Sequence, residues 1–552
     1  MRRTGAVPAL HQLVLLPLTP AARIMGWMSR PVEYATLPED PPAEHLAPER
    51  TRVDRILLWL MAVGIALRLL RYLACRSLWL DEAYLADSLL TFSWKQLLTQ
   101  PLLYWQAAPV GFLLLEKLAI LAFGTGEYAL RLVPLIAGLI SVPLFRAVAR
   151  RFLQPAGQVL AMSLFVLLDP LIYYSSEAKQ YGLDVTVTLV IVLLAMRWRE
   201  RPASWGRLLA LAGAGAAGIF LSHPSIFVLA AIGIVLGIEC IRTRRHGAMV
   251  RLACASVVWA ALFGCEYVFF LRPLISHPGL TAYWAGDFMP WDPVGAVRWL
   301  GSELYELFHG YMIMWLPLVD AAILCALVGI GWFWTRCRRN LALLLLPLFL
   351  TLGAAAVHAY PFGSRLVLFL VPLIVVLMGA GGAVILESFI PGRRVIGWLI
   401  VGAVVVPTAV RDLYYVVVPQ KREEIKPVLA YIRDHHRPGD VLYVFHPSEV
   451  PFRYYENRFG LEKDRYGLAD MRWIIGEPGE NDPSIYRSDL ARLRGKGRVW
   501  VLITHPRALG GIDEEQLFPA ILNNWGEQMD QIRAFNALGL MYEMDSNSAP
   551  TR

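Results

Sequence analysis

Two adjacent carboxylates, Asp81 and Glu82, stand in the run Leu78-Trp79-Leu80-Asp81-Glu82-Ala83-Tyr84, just after the first segment apolar enough to span a membrane. A carboxylate held at a membrane boundary between aromatic rings can accept a proton from a hydroxyl brought up to a lipid headgroup. Asp81 is therefore the candidate general base, with Glu82 as its catalytic neighbour. The same pair also suits the start of a helix near Ala83, where unpaired N–H groups favour acids. A second constellation, Tyr173-Tyr174-Ser175-Ser176-Glu177-Ala178-Lys179-Gln180-Tyr181-Gly182-Leu183-Asp184, joins the outer end of one apolar segment to the next. Ionisable groups at membrane depth cost about 2.5–3.5 kcal/mol each, so Glu177, Lys179, Tyr181 and Asp184 form either a network tying two helices or the wall of a polar substrate path. Lys179 is the natural partner for a phosphate. A third stretch, His358-Ala359-Tyr360-Pro361-Phe362-Gly363-Ser364-Arg365, puts an imidazole, a phenol and a guanidinium in one short turn. That combination suits phosphate recognition as well as mere snorkelling of Arg365. His223, in Ser222-His223-Pro224, is a weaker turn of the same kind.

These side chains need a scaffold, and composition says which. The chain has 552 residues, 56% hydrophobic and only 17% charged, against about 45–50% apolar in ordinary soluble proteins. It reads as a polytopic α-helical membrane protein. The net charge of +8 is scattered in small Arg clusters between apolar runs, a pattern of loop charges that orient spans and not a nucleic-acid surface. Eleven spans are predicted at 53–73, 128–149, 156–174, 181–197, 206–221, 224–241, 250–271, 311–334, 341–357, 366–386 and 395–414. Arg68 and Arg71 are expected to snorkel from the end of the first. Segment 109–123, interrupted by Glu116 and Lys117, is expected to lie along the outer membrane face. With that assignment the Arg-rich loops all fall on the cytoplasmic side, together with the amino terminus. Residues 1–50 read as a Pro-rich, disordered cytoplasmic tail, 51–418 as the membrane domain and 419–552 as a periplasmic α/β domain. In the last, helices are expected at 423–436 and 513–525 and strands at 441–445, 498–504 and near 540–542. Six cysteines show neither disulfide nor metal-ligand spacing and read as small core residues. No Walker sequence, dinucleotide fingerprint or zinc-protease motif is present, so an activated sugar would have to arrive dissolved in the bilayer.

The order of these features, a carboxylate pair in the first outer loop, SEAKQYGLD in the second, YPFGSR before a late span and a soluble outer domain, resembles the integral-membrane GT-C glycosyltransferases. Within them it is most similar to the protein-mannosyltransferase-like group (family 39), which includes lipid A aminoarabinose transferases. The resemblance spans roughly residues 50–415. It implies a multi-pass protein of the bacterial inner membrane that moves a sugar from a polyprenyl-phosphate donor to an envelope acceptor: a glycolipid, polysaccharide or protein. It further implies Asp81 as base, Lys179 and Asp184 in place of a second-loop Arg and Asp, Arg365 before the late span, and no obligatory metal or other cofactor, although some relatives use a divalent ion. One departure stands out: where the aminoarabinose branch has a Lys before paired prolines, this chain reads Gln106-Ala107-Ala108-Pro109. A polysaccharide polymerase or ligase, a lipid-linked sugar transporter and a noncatalytic assembly protein are the competing readings.

Overall fold

The computed structural model describes residues 43–275, 277–312, 318–388, 394–456, 472–479, 482–509 and 512–545. Residues 1–42, most of the segment read as a tail, lie outside the described residues, and the first helix starts inside that segment. The membrane domain contains α1 (Ala43–Leu73), α2 (Leu80–Thr91), α3 (Val110–Phe123), α4 (Leu132–Phe152), α5 (Pro155–Leu167), α6 (Tyr181–Glu200), α7 (Trp205–Leu221), α8 (Ser225–Arg242), α9 (His246–Glu266), α10 (Leu318–Arg336), α11 (Arg338–Ala356), α12 (Val371–Ser388) and α13 (Arg394–Val417). Among the described residues nine helical segments are long and apolar enough to cross a membrane, and α5 and α7 are shorter apolar helices. These eleven match the predicted spans in order.

The centre of the bundle is the segment Ser364–Ser388 that contains α12, buried without a break from Val367 to Ile385. In lipid, where apolar burial gives little between helices, close backbone approach and van der Waals packing do the joining. That is how α12 meets α10: a Cβ on Gly381 would strike the Cys325 carbonyl oxygen, and one on Gly329 that of Leu377. On the other side Gly379 lies against Ala161 and the Gly157 carbonyl of α5.

Two expectations about charged residues are corrected. Arg68 and Arg71 do not snorkel. Arg68 is fully buried and donates to the Gly64 carbonyl at 3.0 Å, while Arg71 pairs with Asp169 at 2.7 Å. An inward carboxylate makes an inward guanidinium the better solution. The α3 helix forms as predicted, but its polar residues serve packing: Glu116 is fully buried, and Lys117 caps the end of α2 by donating to the carbonyls of Leu89 at 2.6 Å and Phe92 at 2.9 Å. The cysteines are all free, and Cys254 and Cys265 are exposed, contrary to the core reading.

Beyond α13 the chain builds a mixed sheet in the order β2-β1-β3-β7-β6, from β1 (Val441–Val444), β2 (Arg472–Ile475), β3 (Gly497–Thr504), β6 (Gly526–Ala534) and β7 (Ala537–Met544). The small strands β4 (Ala508–Leu509) and β5 (Ile512–Asp513) pair separately. Neighbours β2-β1-β3 run parallel and β3-β7-β6 antiparallel. Helix α14 (Ile425–His435) and a helix at Glu514–Leu522 lie where the sequence predicts them. Both unpredicted strands of this sheet, β2 and β6, are at its edges. An edge strand needs few buried side chains, so Gly-Glu-Gln-Met-Asp-Gln-Ile-Arg-Ala carries little apolar signal.

Candidate active site

Three loops and the C-terminal domain meet at one end of the bundle. Asp81, in the first turn of α2, is the meeting point. Its Oδ1 is 3.0 Å from Lys179 Nζ and its Oδ2 is 2.8 Å from Arg365 Nη2. The three residues predicted to converge therefore touch. Lys179 is carried by the tight turn before α6 and Arg365 by the short 3-10 turn entering α12, so rigid helices hold both cations. Burial pushes the Asp81 carboxyl up, but Lys179 and Arg365 outweigh it and hold it at about 2. Burial also lowers the Lys179 ammonium, partly offset by Asp81. Gln106 accepts a short hydrogen bond from Lys179 Nζ. The position that lacks the expected cation thus supplies a ligand for the cation on the next loop. Tyr181 lies beside Arg365, with its ring centroid 5.4 Å from the guanidinium carbon.

Glu82, expected as the catalytic neighbour of Asp81, turns to different partners. It is fully buried, whereas the Asp81 side chain remains 15% exposed. Its Oε1 accepts from Arg131 Nε at 2.8 Å and its Oε2 from Arg131 Nη2 at 2.7 Å, a bidentate pair. Oε1 also accepts from Ala178 N at 2.8 Å, next to Lys179. Adjacent helix positions point about 100° apart, so one carboxylate of the pair faces Lys179 and Arg365 and the other ties the second loop to the first.

The remaining candidates divide. Glu177 is fully buried behind the pair, 3.7 Å from Arg76, and Asp184 is buried on α6. Tyr360 donates to the Leu366 carbonyl at 3.0 Å, bracing the turn that carries Arg365. His358 shares a 2.9 Å hydrogen bond with the Met289 carbonyl and stacks on Trp291 at 4.5 Å. Its role is to fasten the 285–291 loop, and it does not join Asp81. His223 pairs with Glu266 at 3.2 Å. Neither imidazole contacts Asp81, and each has a protein partner of its own.

Two cations escaped the sequence reading. Arg131 stands just before α4, and only its three-dimensional partner, Glu82, distinguishes it. Arg422 lies 4.3 Å over the Trp79 ring and 4.8 Å over Tyr173. Its signal was its place, directly after the last span on the side of the site. Among the described residues no group of three or more His, Cys, Asp or Glu side chains is arranged to hold a metal.

No protein-family model matches this sequence, and no curated protein matches it. Among solved structures the chain is similar to ArnT from Cupriavidus metallidurans bound to undecaprenyl phosphate, with 13% identity and a TM-score of 0.47 over 88% of this chain and 97% of that one. It is also similar to the oligosaccharyltransferase of Archaeoglobus fulgidus in complex with zinc and sulfate, with 14% identity and a TM-score of 0.48 over 88% of this chain and 72% of that one. A third is the archaeal oligosaccharyltransferase AglB from Archaeoglobus fulgidus with an inhibitory peptide and a dolichol-phosphate, at 11% identity and a TM-score of 0.47 over 91% of this chain and 75% of that one.

Proposed function

We propose that this chain is a membrane glycosyltransferase that moves a sugar from a polyprenyl-phosphate donor to an acceptor hydroxyl at the periplasmic face of the bacterial inner membrane. The observation that carries the reading is one carboxylate clamped between two cations, Lys179 at 3.0 Å and Arg365 at 2.8 Å, at the membrane-domain end covered by the C-terminal domain.

The arrangement has a chemical consequence. A carboxyl held at about 2 is a weak base, because a general base works best with a pKa near the working pH. A donor phosphate competes for the same two cations. As Lys179 and Arg365 turn to the phosphate oxygens, Asp81 loses the charges that depress it and becomes more basic. Donor binding thereby arms the base. The acceptor oxygen then attacks the anomeric carbon, its proton passes to Asp81, and the bond to the carrier phosphate breaks with its electron pair staying on phosphate. Lys179 and Arg365 stabilise that charge. Attack from the face opposite the leaving phosphate inverts the anomeric centre.

Asp81→Asn tests the reading in the purified, reconstituted protein. Loss of sugar transfer with unchanged expression and folding is expected; undiminished transfer overturns the mechanism. Mass spectrometry of lipid co-purified with the wild-type protein is expected to find a polyprenyl phosphate. A transporter would retain the lipid yet lose no transfer step in the variant.

A further inference from the structure

The helix that carries Asp81 begins without a cap of its own. Trp79 occupies the N-cap position in extended backbone conformation and makes no side-chain capping bond. A helix start leaves N–H groups without intrahelical partners, and Ser, Thr, Asp or Asn usually supply one locally. Here the partner comes from the far end of the chain. Glu423, 2% exposed, accepts from Leu80 N at 2.9 Å through Oε2. Its Oε1 lies 2.5 Å from His505 Nδ1, and since a carboxylate only accepts, the imidazole proton sits on Nδ1. His505 adopts a left-handed φ of 55° at the end of β3 and donates its N–H to the Asn536 carbonyl at 3.2 Å, which anchors the ring to the sheet. The same domain holds the preceding residues: Leu78 N donates to Tyr455 Oη at 2.8 Å, Ser77 Oγ to Glu424 Oε2 at 3.1 Å, and Lys426 Nζ to the Cys75 carbonyl at 2.6 Å.

We infer that Glu423 is a positioning residue for Asp81: by capping α2 from the C-terminal domain it sets where the Asp81 carboxylate stands between Lys179 and Arg365, making that domain a working part of the catalytic centre. A negative carboxylate at the positive end of α2 is electrostatically favoured. A rotation of α2 by even a fraction of a turn would carry Asp81 off its two partners, whose contacts are 3.0 and 2.8 Å. Asp81 is the second residue of the helix, so the cap acts within one turn of the reacting group. The inference rests on the proposed role of Asp81.

The test compares full-length Glu423→Ala, Glu423→Gln and His505→Ala in liposomes, following the polyprenyl phosphate released from an added polyprenyl-phosphate-linked sugar. Glu423→Ala is expected to lower kcat at least tenfold with KM for the donor within twofold. Glu423→Gln keeps an oxygen for Leu80 N and is expected to recover most of the rate; His505→Ala is expected to cost several-fold. Added to Asp81→Asn, Glu423→Ala is expected to bring no further loss, because it acts through that carboxylate. Unchanged kcat in Glu423→Ala, or losses that multiply in the double variant, would overturn the inference; if Glu423→Ala does not fold, unchanged kcat in His505→Ala overturns it. Full transfer by Asp81→Asn alone would instead sink the reading of Asp81, so the two failures are told apart.

Discussion

Replacing Lys179 by Met removes one of the two cations on Asp81 while keeping an unbranched chain of similar length. At 3.0 Å the pair's attraction is about 5–6 kcal/mol with an effective dielectric near 20, but burial of the ammonium offsets much of this. Breaking a buried pair costs about 3–5 kcal/mol when the survivor is stranded. Asp81 keeps Arg365 at 2.8 Å, so the folding penalty belongs at or below the lower end. The effect on rate is larger. One donor removed from developing charge is worth about 2.7–4 kcal/mol, a hundred- to thousandfold loss in kcat. The same change moves Asp81 upward from about 2, towards the ordinary value of about 3.9. A depressed carboxyl stabilises the fold above its unfolded pKa and loses that contribution as pH falls through its folded one. The wild-type pair therefore holds at any pH above about 4, and the variant's acid limb in kcat/KM shifts to higher pH. The assay is carrier phosphate released per minute by protein in liposomes, measured by mass spectrometry between pH 4 and 8. A variant within threefold of wild-type kcat, or with its acid limb displaced downward, would refute the reasoning.

Three further outcomes follow from the same geometry. Glu82→Gln leaves Arg131 buried without its counter-ion and is expected to cost about 3–5 kcal/mol, visible as a lower Tm by intrinsic fluorescence in detergent; an unchanged Tm would contradict the structural role. Gly381→Val forces a side chain into the Cys325 carbonyl, so the folded fraction on gel filtration is expected to fall sharply, whereas Gly402→Ala, at a position with open space around it, is expected to be tolerated. Because Lys179 and Arg365 face the position a metal would take beside Asp81, EDTA is expected to leave transfer unaltered; loss of transfer restored by added divalent ion would show that a metal carries part of the charge.

Much of this was legible before any coordinates. Runs of about 20 apolar residues located the spans, because a bilayer permits little besides helix across its core. The meeting of Asp81, Lys179 and Arg365 was legible because charge is scarce there, so each occurrence stands out. The same reasoning did not foresee the protein partners of Glu82, His223 and His358. A loop shows which groups are near the membrane end but not which of them already have partners. For Glu82 the partner is Arg131, 49 residues away; for His223 it is Glu266. Strands β2 and β6 escaped because edge positions tolerate polar residues.

By itself the sequence determined that this chain lives in a membrane, roughly where it crosses, and that scarce charges gather in three loops. Those properties follow from composition and period, which act within one segment at a time. Only the tertiary structure decided that Asp81 faces two cations while Glu82 faces one buried guanidinium, and that Glu423 caps the helix 343 residues earlier in the chain. Those are choices of partner, set by how helices rotate and pack against one another, and no local pattern encodes them.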